Sequence, residues 1–325
     1  MDSSIHLIGD LAAQIFGAGD GRARATAEPE PAVWSAFRDS GLAKILTLGE
    51  ASDIRNASIV LRAAGGAPAL VPAAEVVLAN WLAWRAGWDE ETALPTVVTT
   101  TEGWPRVPWG RFATAMYFLC DGRIARCSGP ATPSRLDTNL AGEPRDCMDR
   151  PTRAIERSNV QMDADELLCL AALCRASMMI GSMNAALELT LEHASQRVQF
   201  GKPIKQFQAV QQMVAQFAAQ TAAATAAVEF AVFDFSAFTA AVAKARVSEA
   251  AAVTTEIAHQ VCGAMGFTME FPLQKYSRRL WAWRDEDGSE MVWNRRVGEM
   301  IVSRASNGLW PLVSDSHKVV ESWRV

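Results

Sequence analysis

The residues best placed to do chemistry lie in one stretch, Arg197-Val-Gln-Phe-Gly-Lys-Pro-Ile204, followed by Gln206-Phe207-Gln208 and Gln211. Gly201 and Pro203 break a long helical pattern in two, and Arg197 and Lys202 put positive charge beside the break. A new helix is expected to start after Pro203. The first turn of a helix offers unpaired backbone N–H groups, so an arginine beside it makes a ready site for an anion such as phosphate. The same spelling also fits a plain turn between two helices. Elsewhere, the six cysteines contain no C-x-x-C pair and the four histidines no H-x-x-x-H spacing, so no metal site is expected. Cys169 and Cys174 sit in an apolar helical run and read as buried thiols, a pattern that fits a reducing, cytoplasmic setting.

The elements that must position that stretch follow from composition and periodicity. The chain has 325 residues, half of them hydrophobic, enough for two or three packed units with a sizeable core. A net charge of −5 argues against a general nucleic-acid binder. The start, Met1-Asp2-Ser3-Ser4, lacks the basic region of a signal peptide. Residues 206–228 carry no charge but include six glutamines, so a buried, Ala-rich helix is expected there and not a membrane span.

Residues 1–92 read as a helical unit. Ile5, Leu7, Ile8, Leu11, Ile15 and Phe16 form one apolar stripe, and Pro72 to Trp88 is apolar nearly all round. Residues 93–160 read as a small β unit. Val97-Val98-Thr99-Thr100-Thr101 is β-branched, and Asp121-Gly122 between two apolar runs signals a type I′ hairpin. Residues 161–325 read as a bundle of four long helices. The first is capped by Asp163 with Glu166 and runs to about 195; the others cover about 204–235, 237–260 and 290–305. The fold class is mainly α with a small β domain.

Four motifs then line up in order. They are Arg197-x-Gln-Phe-Gly-Lys-Pro-Ile204, Gln206-Phe207-Gln208-x-x-Gln211, Gln260-Val-Cys-Gly-Ala-Met-Gly-Phe267 with Glu270-Phe271-Pro272, and Asp287-Gly288-Ser289. Together they resemble the acyl-CoA dehydrogenase family across most of the C-terminal half. The resemblance implies an N-terminal helical domain, a middle β-barrel and a C-terminal four-helix bundle. It implies FAD-dependent α,β-dehydrogenation of an acyl-CoA substrate, with an electron-transfer flavoprotein as the reoxidant. It matches Arg197 to the arginine that grips the FAD pyrophosphate of a neighbouring subunit, a role that suits its charged fork. Gln199 and Phe200 would add a polar contact and a ring wall, and Ile204 and Phe207 would line the adenine side. Gln260 and Gly263 match a Gln-x-x-Gly-Gly segment that meets the ADP. Its second glycine is Ala264 here, whose methyl narrows the approach.

Two departures from the family qualify that picture. The family's catalytic glutamate falls on Asp287, one methylene shorter and within an acidic run, Asp285-Glu286-Asp287. The alternative base position on the first bundle helix falls near Ala171 and Ala172, where no carboxylate is available. The β unit also looks short of a full barrel. Thr99-Thr100-Thr101-Glu102-Gly103 runs straight into Trp104-Pro105, where family members carry a longer loop against the flavin ring. Both departures resemble the short subunit of an α2β2 acyl-CoA dehydrogenase of steroid catabolism, paired with a full-length subunit that carries the base. Two alternatives stay open: a self-sufficient homo-oligomer using Asp287 as base, and a scaffold without flavin.

Overall fold

The computed structural model describes residues 2–19, 28–50, 52–89, 94–99, 106–129, 132–149 and 155–304. The chain opens with four helices, α1 (Asp2–Gly17), α2 (Pro31–Asp39), α3 (Asp53–Gly66) and α4 (Ala73–Ala86). α2 starts on a proline, whose missing N–H costs nothing in a first turn. Helix α4 is stopped by Gly87 in the left-handed region. It is buried along nearly its whole length, as its unbroken apolar character predicts.

The strands follow. β1 (Pro95–Val97), β3 (Ala115–Cys120), β4 (Arg123–Ser128) and β6 (Glu156–Gln161) form a four-stranded sheet in the order β1-β3-β4-β6. β1 runs parallel to β3, and the other pairs are antiparallel. β2 (Val107–Pro108) and β5 (Arg145–Asp146) form a separate two-stranded ladder. Among the described residues no strand closes the sheet into a barrel. The β3–β4 hairpin turns on Asp121 (φ 53°) and Gly122 (φ 71°), the left-handed pair that a type I′ turn requires.

The rest is helical: α5 (Ala164–Gln196), α6 (Gln208–Phe233), α7 (Ala237–Cys262), α8 (Leu273–Asp285) and α9 (Glu290–Arg304). There are thus five bundle helices where the sequence suggested four. The extra one, α8, buries Leu273, Tyr276, Leu280 and Trp283, an i, i+3, i+7 stripe obscured by the arginines between them. α5 begins on Asp163, whose carboxylate accepts from the Asp165 N–H at 3.0 Å, whereas Glu166 pairs with Arg85 and completes no box.

α5 is the spine. It is long and apolar enough to cross a membrane, but 89% of its most apolar window is buried inside the protein. It meets α3 at a backbone crossing that only glycine allows. A Cβ on Gly65 would lie 1.9 Å from the Met178 carbonyl, and one on Gly181 would lie 2.0 Å from the Arg62 carbonyl. Ser182 Oγ donates to the Gly65 carbonyl at 2.6 Å across the same contact.

α6 departs from expectation. Only Phe217, Thr221, Ala224, Val228 and Ala231 are buried, and its remaining alanines and glutamines are exposed or half-exposed. Lack of charge reports that a surface avoids water, and cannot say whether its own chain covers it.

Candidate functional site

The predicted anion-binding residues gather at one end of the bundle. α5 ends on Arg197, and the chain turns back through a small hairpin of β7 (Val198–Gln199) and β8 (Lys202–Pro203). Its turn residues, Phe200 (φ 50°) and Gly201 (φ 80°), are both left-handed. Glycine takes this conformation freely, but for phenylalanine it stores on the order of 1–3 kcal/mol. The Phe200 ring is 91% exposed, and its centroid lies 6.1 Å from that of Phe207, edge to face. Lys202 Nζ sits 4.6 Å from the Phe207 ring centroid. Strain spent on holding a bare ring in solvent is what a contact surface looks like.

The second group sits beside it. Gln260 is exposed near the end of α7, and Gly263 follows with φ 59° and open space where a Cβ would stand. Ala264 is exposed, so its methyl faces outward and closes no cradle within this chain. One apolar cluster containing Ala194, Ile204, Phe217, Val261, Cys262 and Leu273 binds the two groups into a single end. Ile204 thus acts as a partly buried anchor beneath the hairpin. Arg197 makes no ion pair among the described residues, and its guanidinium is exposed. An unpaired cation, two exposed amides, an exposed ring and bare backbone fit the diphosphate and adenine portion of FAD.

The predicted base lies elsewhere and is not free. Asp287 (φ 54°) and Gly288 (φ 98°) make a tight turn between α8 and α9. A Cβ on Gly288 would lie 2.4 Å from Trp293 Nε1, which donates to the Asp287 carbonyl at 2.9 Å. Buried Lys244 holds the other side of the turn, donating to the carbonyls of Trp283, Arg284 and Gly288 at 3.0–3.1 Å. Burial pushes this ammonium down to about 8. The turn aims the Asp287 carboxylate at Arg175 Nε, 3.2 Å away, and at the Thr99 hydroxyl, also 3.2 Å away.

Arg175 and Arg145 are almost fully buried, and carboxylates surround both. Arg175 pairs with Glu75 at 2.8 Å, Asp287 at 3.2 Å and Glu286 at 3.4 Å. Arg145 pairs with Glu286 at 2.7 Å, Glu143 at 3.1 Å and Glu75 at 3.5 Å. Burial alone would raise the Glu286 carboxyl, but the Arg145 and Arg175 charges outweigh it and hold it at about 2. Buried ions survive when each is paired and hydrogen-bonded, and here each is. The lattice ties α4, α5, β5 and the α8–α9 turn together. Arg145, Arg175, Glu286 and Asp287 themselves line a cavity of about 480 Å³, together with Val98, Thr99, Arg106 and Trp281.

The carboxylate that aligns with the family's base is thus engaged by a buried guanidinium, Arg175 Nε at 3.2 Å. Arg175 also stands one turn beyond Ala171 and Ala172, so a cation dominates the region where a second carboxylate could have served. The Thr100–Pro105 stretch, where a shortened loop is expected, lies outside the described residues.

The sequence reading missed Arg175, Arg145, Glu75 and Glu286. Two of them had a signal. Arg175 is the only charge between Leu167 and Met183, and Glu75 the only one between Val71 and Trp84. A lone charge in an all-apolar helix needs a buried partner, and these two partner each other.

Comparison with known proteins bears on the fold and the family. Residues 164–301 match the family described as acyl-CoA dehydrogenase, C-terminal domain. Acyl-CoA dehydrogenase IpdE2 of Mycolicibacterium smegmatis is 30% identical over 241 residues, covering 71% of this chain and 74% of that protein. IpdE2 of Mycobacterium tuberculosis is 31% identical over 171 residues, covering 50% of this chain and about half of that relative, 53%. Among solved structures, a Tcur3481-Tcur3483 steroid ACAD variant superposes with a TM-score of 0.80 at 20% identity, over 94% of this chain and 99% of that one. The ChsE4-ChsE5 complex of Mycobacterium tuberculosis gives 0.75 at 18% identity, over 92% and 97%. Butyryl-CoA dehydrogenase of Megasphaera elsdenii gives 0.73 at 16% identity, over 93% and 97%; at such identities the likeness speaks for the fold. The order of helices, small sheet and helical bundle, the two motif segments at one bundle end and these relatives agree: the chain belongs to the acyl-CoA dehydrogenase family of oxidoreductases.

Proposed function

We propose that this chain is the non-base subunit of a heteromeric, FAD-dependent acyl-CoA dehydrogenase. In this reading a full-length subunit supplies the catalytic carboxylate and the flavin-ring site, in an α2β2 assembly. This chain supplies Arg197, Gln199, Phe200, Gln260 and Gly263 to the ADP half of the FAD across the interface. The observation that carries the proposal is the Arg175–Asp287 pair at 3.2 Å inside a saturated ion lattice. It engages the carboxylate that aligns with the family's base, while Arg197, Gln199, Phe200, Gln260 and Gly263 stay exposed, which supports the reading.

When bound, FAD supplies the hydride acceptor for α,β-dehydrogenation of an acyl-CoA thioester. Arg197 neutralises diphosphate charge with a planar fork of donors. Gln199 and Gln260 offer neutral polar contacts, and Phe200 offers a ring face preset by its backbone. A steroid side-chain CoA thioester as substrate draws support from the neighbour named as a steroid ACAD. The reoxidant in this proposal is an electron-transfer flavoprotein.

The experiment co-expresses this chain with the full-length acyl-CoA dehydrogenase subunit of the same organism and compares two variants of the complex. Asp287→Asn should leave kcat within about twofold of the parent, because the residue takes no proton. Arg197→Ala should lower flavin content. If Asp287→Asn abolishes turnover while flavin stays bound, Asp287 is the base of a self-sufficient enzyme and the proposal fails. A native complex that is colourless and inactive would point to a scaffold.

A further inference from the structure

One side of the bundle is left uncovered by the chain. Helix α6 packs on α3, α5 and α7, burying Phe217, Thr221, Ala224, Val228 and Ala231, and turns its opposite side to solvent. At about 100° per residue, the line opposite that buried stripe runs through Gln208, Ala215, Ala219, Ala222, Ala226 and Phe233, and all six are exposed. Phe233 is 90% exposed and Phe230, beside it, 46%. No Asp, Glu, Lys or Arg occurs from Gln206 to Val228. A helix face that meets water ordinarily carries charge, and a helix without charge on either side is one that is covered all round.

The line reads the same in both directions. Its residues pair about a point between Gln220 and Thr221: Ala219 with Ala222, Ala215 with Ala226, and Gln208 with Phe233. Laid antiparallel on a second copy, the ridge sets alanine on alanine at the centre, where methyl groups let two helices approach to about 8 Å. At the ends it sets each Phe233 ring on a glutamine side chain. The charges fall the same way. Lys202 and Lys205 stand at the start of the helix, with the positive end of its dipole, while Glu229 and Asp234 stand at its finish. Antiparallel pairing brings unlike ends together, whereas parallel pairing brings like ends together. At the area each residue contributes in known interfaces, the exposed side of α6 gives on the order of 1,000 Å² over two copies, the least that a specific contact needs.

We infer that the outer face of α6 is a self-complementary interface, closed by the same face of a second copy of this chain in an antiparallel, two-fold contact. A surface that matches itself about a two-fold axis closes a pair and stops there, without growing into a filament. The inference deepens the proposed function and rests on it for the full-length subunit alone: it names the surface that joins the two halves of the α2β2 assembly, each half holding one of each chain. The residues assigned to FAD lie outside the ridge, in the hairpin before α6 and at the end of α7.

The test uses the co-expressed complex and a charge swap, with mass read by light scattering after size-exclusion chromatography and flavin by absorbance. Ala215 and Ala226 lie about 16 Å apart along one helix, so charges placed there meet only across two copies. Ala215→Glu buries an unpaired carboxylate against Ala226 of the second copy, beside its Glu229, and Ala226→Lys buries an unpaired ammonium. Each should weaken the joining of the halves by about a hundredfold and halve the mass at micromolar concentration. The double variant, Ala215→Glu with Ala226→Lys, pairs the charges twice and should restore the full mass. Both positions are exposed within the chain, so flavin per pair of unlike chains should not change. An undivided assembly in both single variants overturns the inference, and so does a parent complex with only one copy of this chain. Division that the double variant does not reverse overturns it as well, and gives the face to the full-length subunit. A complex that divides and rejoins but carries no flavin fails the proposed function and keeps this inference.

Discussion

The two ends of the helical bundle treat charge in opposite ways. At the seam with the β unit, two buried arginines are paired with four carboxylates, and Asp287 is one of them. At the far end, Arg197 stands in solvent unpaired among the described residues, beside a strained and exposed Phe200. The seam pairs its own charges, and the paired side chains line the cavity beside them. The hairpin end leaves its cation and its ring open to solvent. A catalytic domain that kept its fold and lost its base is expected to divide in this way. The part facing its own chemistry fills in, and the part facing a partner's cofactor stays open.

The comparison can be broken first at Arg175. Arg175→Leu leaves Glu75 and Asp287 buried without their best partner, and should lower unfolding stability by about 3–5 kcal/mol. A chemical denaturation series reads this directly; a loss under about 1 kcal/mol would mean that the lattice is not the seam's support. Next comes Arg197→Ala. It should leave stability unchanged and weaken FAD binding by the complex about ten- to a hundredfold, the worth of a charge-assisted contact. Flavin release on dilution gives the number. Equal effects of the two variants on stability would erase the distinction between the ends.

The acid limb sharpens it further. Glu286 is held at about 2 against an ordinary value of 4.5, so its folded carboxyl is depressed. The stability it contributes is fully present above pH 4.5 and is lost as pH falls from there towards 2. Glu286→Gln should flatten the stability profile in that window, as followed by pH-dependent denaturation. The smallest expected effect belongs to the hairpin. Phe200→Gly relieves the left-handed strain and should raise stability slightly, by about 1 kcal/mol or less, while lowering flavin affinity. A stabilising change that costs function would identify Phe200 as held for binding.

Much of this was legible in the sequence, and the rest failed for identifiable reasons. Asp121-Gly122 gave the hairpin because only residues tolerant of positive φ serve a type I′ turn. Arg197 to Ile204 read correctly as a break between helices with cations beside it. Helix α8 was missed because two arginines, Arg278 and Arg279, interrupt its apolar stripe, and Arg279 is itself buried against the Ala67 and Ala69 carbonyls. The lattice was illegible because its partners are far apart in sequence: Glu75 and Arg175 are separated by 100 residues, and Arg145 and Glu286 by 141. No local pattern encodes such pairing. Helix α6 was expected inside the chain because charge-free faces usually are, but burial against another chain leaves the same signature.

The central claim is that this chain completes a flavin site without housing one. The most direct measurement is the flavin-to-protein ratio of the complex purified after co-expression with the full-length subunit. One flavin per pair of unlike chains is the predicted result. One flavin per chain would contradict the account, because this chain would then house a flavin of its own.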